Sequence, residues 1–228
     1  MQKGERFKEG RHKMQTSDSF LLSALLSFSG GLQDAYTYNV RGKVFANAQT
    51  GNVVMMSQNI MSGNIVNGMH YMLPLLSFAL GIFTAERIEY SFKEKSNIHW
   101  RQIVVLLEII VLTVVGILPL DFNMAANILV SFSCAMQVQT FRKVHGYGYA
   151  STMCIGNLRN GTESFSRYLR SKEKQDLNKA LHFFGIILIF AIGAGVGGVV
   201  SNVMEIKTIW ISVFILLITD LMMIRKSR

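Results

Sequence analysis

The chain has 228 residues, of which 50% are hydrophobic and only 16% charged, with a net charge of +9 and two cysteines. This balance excludes a large soluble domain and a disulfide framework. The basic excess is expected in the cytoplasmic loops of a membrane protein and not on a nucleic-acid surface, so no nucleic-acid partner is expected.

Residues 1–19 are polar and basic and are read as a cytoplasmic segment. The apolar run that follows has no small-residue cleavage site and continues into a polar half, so it is read as a retained first span and not a signal peptide. Six stretches are long enough, or nearly so, to cross a hydrocarbon core of about 30 Å: Phe20–Val40, Asn64–Ala85, Ile103–Leu120, Phe122–Phe141, Ala180–Met204 and Thr208–Ile224. Pro119-Leu120-Asp121 makes a tight turn between the third and fourth. No ten-residue alternation of period two occurs, which argues against an outer-membrane barrel. Residues 20–228 are therefore expected to form one membrane domain.

One pattern occurs twice. Ser27-Phe28-Ser29, Gln33 and Gly51-Asn52 recur as Ser131-Phe132-Ser133, Gln137 and Gly156-Asn157, and Phe78-Ala79-Leu80-Gly81 recurs as Phe190-Ala191-Ile192-Gly193. Order and spacing agree, so the chain reads as two repeats, about 20–120 and about 122–228.

Two further segments, Val44–Met61 and Ala150–Tyr168, are moderately apolar. If both span, Arg87, Lys93, Lys95 and Arg101 fall outside. If both dip in and return on one face, only Arg41, Lys43 and Lys207 of the 23 Lys and Arg residues lie outside. The positive-inside rule favours the second arrangement. The expected fold is an all-α integral membrane protein with six transmembrane helices plus two re-entrant half helices in two inverted repeats, with both termini cytoplasmic.

The polar breaks Asn47–Asn52 and Thr152–Asn157 precede apolar stretches read as short helices from Val53 and from Leu158. Helix amino ends at mid-depth carry unpaired N–H groups and partial positive charge, which suits an anionic or polar neutral solute. Gln33, Asp34, Thr50, Gly51, Asn52, Gln137, Gly156 and Asn157 are the expected solute-binding residues. Asp34 reads either as a pathway carboxylate or as an interfacial charge paired with Arg41 or Lys43. Glu108, well inside the third span, reads as a proton carrier or as a structural partner of Gln137 or His182. Asp34 and Glu108 are the candidates for coupling a proton or cation.

The histidines have no metal-ligand spacing and no nucleophile motif stands out, so no catalytic residue, metal or cofactor is expected. The expected partners are the lipid bilayer, an unidentified small solute and a second copy in a homodimer. The chain is expected to be a transporter or channel. The alternatives are a membrane scaffold or regulatory protein without transport, and an intramembrane enzyme.

GGLQDAYTY at the end of the first span, FANAQTGN after it, FALG in the next, and AMQVQTFRKVHGYGYASTMCIGNL in the second half resemble the YoaK family of bacterial membrane proteins. The resemblance runs from about Phe20 to Ile224. It implies an inner-membrane protein with about six spans and supplies no substrate. One departure is Ile155 before Gly156, where the family pattern has Thr. It removes a hydroxyl from the second helix end.

Overall fold

The computed structural model describes residues 19–93, 99–144, 147–148 and 151–225. Eight α-helices make up nearly all of it: α1 (Phe20–Val40), α2 (Gln49–Met61), α3 (Ile65–Phe92), α4 (Trp100–Ile117), α5 (Asn123–Thr140), α6 (Cys154–Ser171), α7 (Lys174–Met204) and α8 (Ile209–Arg225). Two short 3-10 turns, Leu120–Phe122 and Glu205–Thr208, and one antiparallel ladder of β1 (Lys143–Val144) with β2 (Tyr147–Gly148) join them.

Local chemistry sets the boundaries. Ser19 caps α1 by accepting the Leu22 N–H, and Asn64 caps α3 by accepting that of Asn67. Left-handed residues end several helices: Gly42 (φ +88°) and Lys43 (φ +65°) after α1, Gly63 (φ +79°) after α2 and Lys172 (φ +58°) after α6. Each predicted span corresponds to a helix. However, α3 runs on past Ala85 to Phe92, and α7 starts at Lys174, ahead of Ala180. Hydropathy falls where charge begins, yet pairs such as Lys93 with Glu89 (2.9 Å) carry the helix onward.

Side-chain distribution is that of a protein in lipid. Leu76, Leu80, Phe83, Ile110, Leu188 and Phe214 are exposed, while Ser27, Ser29, Gln33, Glu108, Asn127, Ser133 and Gln137 are buried. Three helical stretches are long and apolar enough to cross a membrane: Ile65–Phe92, Trp100–Ile117 and Lys174–Ile224, the last comprising α7 and α8. α1 and α5 fall outside that set because they carry the polar repeat.

Specific contacts fix the helix directions. α1 and α7 run parallel, since Phe20 meets His182 edge-to-face, Gly193 lies against Phe28 and Gly197 against Leu32. α3 and α5 also run parallel: Ser77 donates to the Ile128 carbonyl (2.8 Å), Gly81 lies against Phe132, and Gln139 donates to Glu86. α1 and α5 run antiparallel. Gln137 donates to the Leu26 carbonyl (3.2 Å), the Cys134 thiol to Gln33 Oε1 (3.0 Å), and Asn127 to the Arg41 carbonyl (2.6 Å). α2 folds back along α3 with Ile60 over Gly68, and α6 along α7 with Phe184 over Gly161.

Exchanging α1–α4 for α5–α8 maps the main helix pairs onto one another. α1 with α7 becomes α5 with α3, α2 with α3 becomes α6 with α7, and α1 with α8 becomes α5 with α4. Two of the close approaches correspond. A Cβ on Gly193 would strike the Phe28 carbonyl, and one on Gly81 would strike that of Phe132.

Candidate functional site

The centre of the molecule is the antiparallel crossing of α1 and α5. Gln33 Nε2 donates to Ser29 Oγ (2.9 Å), while its carbonyl oxygen accepts the Cys134 thiol. Across the crossing, Gln137 Nε2 donates to Ser151 Oγ (3.0 Å) as well as to the Leu26 carbonyl. The glutamine that occurs in both repeats therefore holds the crossing together from both sides.

Both loops before the short helices reach this crossing. The segment after α1 turns at Gly42-Lys43 and comes back along it. The Asn47 backbone N–H donates to Asp34 Oδ1 (2.8 Å), and Asn47 Nδ2 donates to the Gly30 carbonyl (3.3 Å). The loop before α6 brings Thr152 against the same residue, where its methyl would meet any Cβ on Gly30. Asn47 and Thr152 occupy equivalent positions five residues before Asn52 and Asn157. Gly30 is thus the meeting point of the two loops, and glycine is the residue that leaves them room.

Asp34 is buried and makes no ion pair among the described residues. The alternative expectation, pairing with Arg41 or Lys43, is not realised. Arg41 is itself fully buried and donates to Tyr36 Oη (2.7 Å) and to the carbonyls of Val115 (3.0 Å), Leu118 (2.8 Å) and Pro119 (3.0 Å). It caps the carboxyl end of α4, where a cation is favoured. Lys43 lies over the Tyr38 ring, 4.6 Å from its centroid.

Glu108 is fully buried in α4, and neither carboxyl oxygen has a hydrogen-bond partner in the structure. Neither Gln137 nor His182, its expected structural partners, bonds it. The hydroxyls of Ser27, Ser131, Ser133 and Thr152 are likewise buried and unpartnered. An interior with this many unpaired polar groups is costly unless they meet something polar.

The remaining expected residues sit at the helix ends. α2 begins at Gln49 and α6 at Cys154, earlier than Val53 and Leu158, so Gly51 and Gly156 lie within the first turns. No side chain caps either helix, so local sequence does not mark the starts. Asn52 is buried and ties its own loop, donating to the Phe45 carbonyl (2.7 Å) and Gln49 Oε1 (2.9 Å). Asn157 is buried, whereas Thr50 and Gly156 are exposed, and a Cβ on Gly156 would meet nothing within 4 Å.

The structure thus places Gln33 and Gln137 at the crossing of α1 and α5 and ties Asp34 to Asn47 in the loop before α2. Sequence reasoning did not single out Cys134 or Ser151 for this crossing, and it gave Arg41 a different partner. Asn47 and Thr152 were within the polar breaks and legible there; Arg41 was not, because the carbonyls it caps belong to a helix 74 residues away. Among the described residues no group of three His, Cys, Asp or Glu could hold a metal ion.

No curated protein and no solved structure matches the chain. A family model does, over residues 22–222, and it is described as a protein of unknown function. The chain belongs to that family, DUF1275, of which YoaK is a member.

Proposed function

We propose that the chain is a small-solute transporter or channel of a bacterial inner membrane. In this reading α1, α3, α4, α5, α7 and α8 span the bilayer. α2 and α6 with their preceding loops are re-entrant, and the two halves are inverted repeats with cytoplasmic termini. Irregular backbone at membrane depth is tolerated where it lines a polar cavity between repeats. The observation that carries the reading is the convergence of both loops on Gly30, over the antiparallel crossing of α1 and α5.

The solute would meet Gln33, Asp34 and Gln137, with Asn47 and Thr152 lending polar groups from each loop. Thr50, Gly51, Asn52, Gly156 and Asn157 form the first turns of α2 and α6, whose amino ends direct partial positive charge inward. Asp34 and Glu108 are the buried carboxyls available to a coupling proton or cation.

The test is flux in liposomes reconstituted with the purified protein, using glycerol, urea, succinate and inorganic phosphate as probes. Movement of at least one above empty liposomes is expected. Asp34→Asn, which keeps an acceptor for the Asn47 N–H, should slow it about tenfold or more, the scale of one lost hydrogen bond to a charged group. Folded protein with no flux of any probe, or an Asp34→Asn variant as active as the parent, would refute the reading. Loss of assembly without any flux in the parent would favour a scaffold.

A further inference from the structure

Two cavities occupy equivalent positions at opposite ends of the bundle. The larger, about 460 Å³, lies between α2, α3 and the Gly42-Lys43 turn, with Met55, Asn59, Asn67 and Tyr71 in its wall. The smaller, about 140 Å³, lies between α6 and α7, with Asn160, Ser164, Lys179 and Phe183 in its wall. Met55 and Asn59 precede Asn160 and Ser164 by the spacing that relates Gly51 to Gly156. Asn67 and Tyr71 precede Lys179 and Phe183 by the spacing that relates Phe78 to Phe190. A cavity recurring at matched positions in both repeats is a property of the architecture.

Their electrostatics differ. In the smaller cavity Arg167 is held by Glu163 (2.5 Å) and Asp176 (3.3 Å). The larger one has Lys43 and His70 in its wall and no carboxylate among its described lining residues. Lys43 makes no ion pair among the described residues, and its ammonium rests on the Tyr38 face, a weak interaction that an anion can replace. The turn that presents it is fixed in place. Lys43 adopts a left-handed backbone beside Gly42, and His70 Nε2 donates to the Gly42 carbonyl (3.0 Å). Since a carbonyl only accepts, that nitrogen carries the proton. The amides of Asn59 and Asn67 and the Tyr71 hydroxyl add neutral polar groups. The volume lies in the range of small-molecule sites.

We infer that the cavity between α2 and α3 binds an anionic oxygen group, a carboxylate or phosphate, at the outer mouth of the first re-entrant hairpin, with Lys43 as its cation. The inference rests on the transport reading for its place on a pathway, and it specifies the solute class as anionic.

The experiment is thermal unfolding of the full chain in phosphatidylcholine nanodiscs, titrated with succinate, inorganic phosphate and, as the neutral control, glycerol. Saturable stabilisation by an anion and none by glycerol is expected. Lys43→Asn, which tolerates the left-handed backbone, should weaken the apparent affinity about tenfold. Lys207→Gln, a cation outside the cavity, should leave it unchanged. If phosphatidylglycerol stabilises the parent but not Lys43→Asn, while soluble anions do nothing, the site stands and its anion is a lipid headgroup. Equal responses in parent and Lys43→Asn, stabilisation by glycerol alike, or no saturable response to any anion or to phosphatidylglycerol would overturn the inference. Flux that persists when this binding fails leaves the transport reading intact; binding without flux removes the transport reading and leaves the site.

Discussion

At the scale of single residues, polar groups inside this molecule do two different jobs. Arg41 is the structural case. It is a buried cation whose partners are the last carbonyls of α4, and removing it leaves those acceptors without donors. Arg41→Ala is expected to destabilise the fold by about 3 kcal/mol or more, read as loss of thermal stability in detergent. Asn52→Ala, which unties one loop from the first turn of α2, should cost about 1–2 kcal/mol by the same measurement. If Arg41→Ala proves the milder of the two, the capping role assigned to Arg41 is wrong. Asp34 is the opposite case, a carboxyl holding one loop through the Asn47 backbone N–H, and its neutral variant should fold while losing flux. Its partner Asn47 lies thirteen residues downstream in a polar break. The break was legible in sequence, but the bond was not, because it depends on the chain doubling back.

Among the elements, glycine sets which helices meet. In lipid, helices associate through close packing of small residues and not through burial of apolar surface. Gly81 and Gly193 bring α3 onto α5 and α7 onto α1 with carbonyls in the space a Cβ would need. Gly81→Ala and Gly193→Ala should each destabilise by about 1–3 kcal/mol. Gly195→Ala, on the same helix as Gly193 but with nothing within 4 Å, should be neutral or gain up to about 1 kcal/mol. Comparable losses at all three glycines in thermal unfolding would contradict the packing account. The FALG and FAIG motifs were visible as a repeat; that each packs against the other half's SFS motif was not, since sequence spacing carries no information about which faces pair. The helices were legible because apolar runs end sharply. The starts of α2 and α6 were not, because no side chain caps them, and the far ends of α3 and α7 continue as charged helices.

For the whole molecule, the central claim is that two equivalent hairpins enter from opposite faces and meet at Gly30. The matched packing of α1–α4 and α5–α8, the antiparallel crossing and the paired cavities all support it. The duplication was readable from residues such as Gln33 and Gln137. Inversion is read from charge counting, and the antiparallel run of α1 and α5 through Leu26, Gln33 and Arg41 agrees with it. The most direct test uses single cysteines at Ser62, between α2 and α3, and at Ser171, the last residue of α6, in a background lacking Cys134 and Cys154. Ser62 is preferable to Gly63, whose φ of +79° a side chain would strain. With a membrane-impermeant thiol reagent on intact cells, the Ser62→Cys protein should label and the Ser171→Cys protein only after permeabilisation. Labelling of both in intact cells, or protection of both, would put the two hairpins on one face and contradict the account.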